Sequence, residues 1–192
     1  KMVAASKLRR SQEKAVAARP YSSRLEEMLS SLASSAASGE GIIKLLTGTG
    51  NDQNYIVVPV SADRGLCGGF NSSINRETFK LVKSLENDGK NVQLMPVGKK
   101  SRDFFNRVMK EQIVESFIDL NVSNNGYDSA LNVSNKLQDL YFKGKFDKCI
   151  LVFNKFKSAI SQEVTKQQLI PLDVSESSTE SKEDNNDAKA IY

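Results

Sequence analysis

No histidine occurs anywhere in this sequence. Its absence removes the usual general base, the commonest metal ligand and the imidazole half of the Ser-His and Cys-His nucleophile pairs, so an enzymatic reading starts at a disadvantage. Cysteine is scarce: Cys67 and Cys149 stand far apart. Without a secretory signal, that even count argues for a reducing compartment rather than for a disulfide. Long hydrophobic runs are also missing. The longest, 55–60, has the length of a strand, well short of the roughly 18–20 residues that a membrane-spanning helix needs. The first residue is Lys1, and no basic, apolar and small-residue succession follows it, so no signal peptide is expected. The chain reads as starting inside a helix, as a fragment would.

What is present is enough for one packed domain and an accessory element: 192 residues, 39% hydrophobic and 26% charged. The net charge is only +4, but it is unevenly spread. Lys1, Lys7, Arg9, Arg10, Lys14, Arg19 and Arg24 face the single acid Glu13 over the first 24 residues. Near the other end, Asp173, Glu176, Glu180, Glu183, Asp184 and Asp187 face Lys182 alone. A basic helix seeking an acidic partner and a solvated acidic loop are the expectations.

The pattern divides the chain into four stretches. Residues 1–38 have many good helix formers and apolar residues at helical spacing, which predicts one long helix of about 50 Å with Pro20 bending or interrupting it. Its first half is alanine-rich and cationic, a poor surface for an ordinary core, and predicts a coiled-coil partner helix. Residues 39–54 are glycine-rich and predict a loop with one helical turn. Residues 55–172 alternate strand and helix patterns. Strands are expected at 55–62, 91–98, 113–120, 148–156 and 161–172, and helices at 71–86, 99–109 and 127–142. The inner face of the last helix is expected to be Ala130, Val133, Leu137, Leu140 and Tyr141. Repeated strand-helix-strand units imply an α/β fold, a Rossmann-like, mostly parallel sheet with flanking helices and an antiparallel edge formed by the last pair. Residues 173–192 turn acidic and polar and predict a mobile segment, with 190–192 as the start of another strand.

One motif has chemical content. The first strand runs into SADRGLCGGFNSS (61–73), a glycine-rich turn opening a helix. Backbone amides at a helix N-terminus attract anions, but Gly65, Gly68 and Gly69 fit neither nucleotide-binding spacing, and no lysine follows to reach a terminal phosphate. No cofactor or metal is expected. Cys67 near Arg64 has the setting of an activated thiolate, against which stands the plainer role of a small residue filling a tight turn.

KMVAASKLRRSQ at the start and DRGLCGGFN after the first strand resemble signature stretches of the gamma subunits of F-type ATP synthases, in the family's order and at about its separation. The resemblance, helped by ARPY at 18–21, covers essentially the whole chain. It implies a non-catalytic central-stalk subunit lacking here the extreme N-terminus and the C-terminal helix. In that family the two long helices wind as an antiparallel coiled coil inside the alpha/beta hexamer, and the α/β domain meets the epsilon subunit and the membrane c-ring. The stalk couples proton-driven rotation to ATP synthesis. It sits peripherally on the cytoplasmic face of the bacterial inner membrane, or on the matrix face in mitochondria. Carried over residue by residue, Met2, Lys7, Arg9 and Arg10 would face the catalytic ring, and Arg64, Gly65, Cys67 and Gly68 would lie near an acidic loop of beta.

Two rival classes stand against it. A nucleic-acid-binding module would use the basic helix and the pI near 9.0, but it lacks aromatics interleaved with the cations, and the acidic end opposes a phosphate backbone. A nucleotide-dependent enzyme would use the α/β layout, but fold alone does not license function.

Overall fold

A computed structural model describes residues 2–36, 44–120, 122–158 and 161–172. The expected segments 39–43 and 173–192, including the strand start at 190–192, lie outside the described residues.

Helix α1 spans Met2–Ala36. Among its described side chains, Leu8, Val16, Tyr21, Leu25 and Met28 are all exposed. Pro20 does not interrupt it. The carbonyl that a proline leaves without a donor sits four residues earlier, at Val16, which is exposed, so water satisfies it at little cost. Near its middle α1 touches the domain where Arg19 Nη2 donates to the Phe156 carbonyl at 2.7 Å. The single turn α2 (Lys44–Thr47) follows.

The sheet is four-stranded. Strands β1 (Asn54–Pro59), β2 (Asn91–Leu94), β3 (Lys148–Phe156) and β4 (Gln162–Ile170) lie in the order β2-β1-β3-β4. The first three are mutually parallel and β4 is the antiparallel edge. Between them run α3 (Phe70–Asn87), α4 (Lys99–Val108) and α5 (Val122–Phe142). A parallel sheet covered on both faces needs apolar residues on both sides of its central strand. Accordingly Tyr55 and Val57 join Val92, Leu94, Ile74, Val82 and Phe105 in one core under α3 and α4. Ile56 and Val58 join Met95, Val97, Leu137, Tyr141 and Phe146 in the other, under α5.

Two expectations need correction. Residues 113–120 are not a strand but touch β2's continuation through isolated bridges, Leu94 to Ile113 and Val97 to Phe117. Pro96 lies between the two bridged positions and has no N–H to give, so a continuous ladder cannot form; its carbonyl still accepts from the Phe117 amide at 2.9 Å. In α5, which starts before 127, Ala130 is exposed, and among the described side chains of this helix those packed on the core begin at Val133.

The amino-terminal end of the sheet is fastened by two carboxylates. Asp147, only 7% exposed, accepts from the amides of Asn54 (2.8 Å) and Gln53 (3.1 Å), from Asn54 Nδ2 (3.2 Å) and from Thr49 Oγ1 (3.3 Å). Burial alone would raise its carboxyl, but these donors hold it below its ordinary value. Asp52 is held well below the carboxylate range by hydrogen bonds from Lys148, Tyr55 and Lys90. Asp147→Ala would leave two backbone amides without an acceptor, at a cost of about 2–4 kcal/mol. The expected loss is about 5–12 °C in Tm by circular dichroism, with Asp147→Asn, which keeps one acceptor oxygen, losing less. A fall under about 2 °C for the alanine variant would show that water replaces the carboxylate.

Candidate functional site

The carboxyl ends of β1 and β2 carry the turn 61–69 and the start of α4. In open α/β sheets this end is where ligands and partners are met. The turn is shaped by residues in the left-handed region, Leu66 (φ 59°) and Gly68 (φ 58°). Asn71, in the first turn of α3, closes it: its Oδ1 accepts from the Ala62 amide at 2.9 Å, and its Nδ2 donates to the Arg64 carbonyl at 3.2 Å and to Cys67 Sγ at 3.0 Å. The result is a turn with a tethered base and an outward tip. Arg64, Gly65, Leu66, Cys67, Gly68 and Gly69 are all exposed.

The neighbouring N-terminus of α4 is an anion site in principle, but its amides are already used. Lys99 N donates to Asp63 Oδ1 (2.7 Å), Lys100 N to the Ala62 carbonyl (3.2 Å) and Ser101 N to Ser61 Oγ (2.9 Å). Helix α4 is thus capped from the adjacent strand end, and an incoming phosphate would have to displace three internal acceptors. Beneath this cap, Ser101 Oγ donates to Asn75 Oδ1 at 2.6 Å in a buried link between α4 and α3. Gly98 (φ 97°) lets the Val97–Gly98 backbone pass against Ser61: a Cβ there would sit 2.2 Å from the Ser61 carbonyl oxygen.

Of the residues singled out from the sequence, the structure gathers Arg64, Gly65, Cys67 and Gly68 on this one turn. Met2, Lys7, Arg9 and Arg10 lie apart from it on the first three turns of α1. Arg9 is engaged within its own helix by Glu13, at 2.9 Å and four residues on, and Arg10 is exposed. Among the described residues no hydrogen bond or ion pair joins Arg9 or Arg10 to the turn. Sequence reasoning missed Ser61, Asp63 and Asn71, the residues that set the geometry. Asp and Asn flanking a glycine-rich turn are a signal for side-chain capping, but which amide each would cap depends on strands meeting in space. No helix of the described residues is long and apolar enough to cross a membrane.

Comparison with known proteins gives one family throughout. The family model described as ATP synthase matches residues 1–192. The ATP synthase gamma chain of Rhodospirillum rubrum is 49% identical over 174 residues, 91% of this chain and 58% of that protein. That of Paramagnetospirillum magneticum is 45% identical over 192 residues, all of this chain and 64% of that protein. The chain therefore spans about three fifths of the length of these relatives. Among solved structures, the central stalk and c-ring portion of the Tetrahymena thermophila mitochondrial ATP synthase aligns with a TM-score of 0.67 at 26% identity, covering 88% of this chain and 70% of that one. The Euglena gracilis mitochondrial ATP synthase rotor, at 17% identity and a TM-score of 0.51, shares the fold over 86% of this chain and 63% of its own. With one family matched along the whole sequence, and with the fold shared by stalk structures, this chain belongs to the ATP synthase gamma chain family.

Proposed function

We propose that this chain forms the central stalk of a proton-translocating ATP synthase, in which it transmits rotation between a membrane ring and a catalytic alpha/beta hexamer and carries no catalytic group itself. The observation that carries the reading is the match to gamma chains along all 192 residues. Two physical features support it. Helix α1 is about 50 Å long and leaves Tyr21, Leu25 and Met28, spaced four and three residues apart, exposed on one side. Such a stripe is the seam of a coiled coil awaiting its second helix, which in the proposal is the C-terminal helix of the family. Near Tyr21, the hydrogen bond from Arg19 to Phe156 ties the shaft to the α/β domain.

The second feature is the turn at 61–69, with Arg64 and Cys67 exposed at its tip. In the proposal this turn meets an acidic loop of a beta subunit, and the cations of α1, Lys7, Arg9 and Arg10 with Met2 beside them, face the catalytic ring. Exposed ion pairs contribute about 0–1 kcal/mol each and are screened by salt. A surface of such pairs guides contact without resisting rotation, whereas a desolvated pair would hold one angle. The epsilon subunit and the c-ring are proposed to meet the α/β domain, with the whole assembly peripheral to the energy-coupling membrane.

The test is a chimera in which residues 1–192 replace the aligned segment of the Rhodospirillum rubrum gamma chain, mixed with that organism's alpha and beta subunits. A complex that hydrolyses ATP, and whose hydrolysis needs the chimera, is the expected result. Failure to assemble, with the parent gamma chain competent in the same assay, would overturn the reading.

A further inference from the structure

We draw no further inference here: the strongest candidate, the exposed apolar side of α5 formed by Tyr127, Leu131 and Phe142, carries none, because nothing in the structure shows what covers it.

Discussion

Gly98→Ala is expected to lower the Tm by about 10 °C or more and to disorder the turn that carries Arg64 and Cys67. The added methyl would meet the Ser61 carbonyl oxygen at 2.2 Å and the Ser61 carbonyl carbon and Oγ at 2.7 Å. Neither backbone can yield. The Gly98 amide is held by the Phe117 carbonyl at 2.7 Å, and the Ser61 amide by the Val97 carbonyl at 2.8 Å. The φ of 97° adds a penalty of its own for any residue with a Cβ. A matched substitution separates the two contributions. Gly89 has φ 77°, and nothing lies within 4 Å of the position its Cβ would take. Gly89→Ala should therefore cost about 1–2 kcal/mol from conformation alone, and Gly98→Ala at least about 3 kcal/mol in thermal or urea unfolding. Equal losses for the two variants would mean that the β1 and β2 ends separate easily, and that the turn is not held by this close approach.

The two thiols should differ in reactivity by at least about a thousandfold. Cys67 is exposed on the turn, whereas Cys149 is 0% exposed in the core beneath α5, and burial pushes its thiol up to about 12. A thiol reagent reaches Cys149 only when the sheet opens, because β3 is an interior strand paired on both sides. With a domain stability of about 5–15 kcal/mol, that open state is populated at roughly one part in a thousand or far less. Titration with Ellman's reagent at pH 8 is expected to show one fast thiol and one released only by denaturant. Cys67→Ser should remove the fast phase and leave the slow one. Two fast thiols would contradict the packing of β3 under α5. A bulky maleimide on Cys67 also bears on the stalk proposal: the labelled chimera should assemble poorly with alpha and beta, and unimpaired assembly and hydrolysis would remove this turn from the interface.

Much of the architecture is legible in the order of the residues. The strand patterns at 55–62 and 148–156, the helix patterns at 71–86 and 99–109 and the antiparallel last pair all correspond to observed elements, within a few residues at their ends. They are readable because a sheet covered on both faces demands continuous apolar strands, and its helices demand one periodic stripe. Residues 113–120 mislead because their apolar content is strand-like, while the obstacle to pairing, Pro96, lies on the other partner. Ala130 misleads because periodicity marks a side of a helix and says nothing of where along its length the core ends. Both errors concern a residue's neighbours across space.

The same division holds for the site. By itself the sequence determined the family, the α/β class, the glycine-rich turn opening α3, and the concentration of positive charge in the first helix, since these are properties of residue type and order. Only the tertiary structure decided that Asp63, Ala62 and Ser61 occupy the amides of α4, that Asn71 ties down the turn, and that Asp147 fastens the start of β1. The hydrogen bonds that cap α4 and fasten the start of β1 join groups from 36 to 98 positions apart in the chain. A hydrogen bond or a shared apolar surface depends on distance and direction, and for residues so separated neither is set until the sheet and its helices have packed.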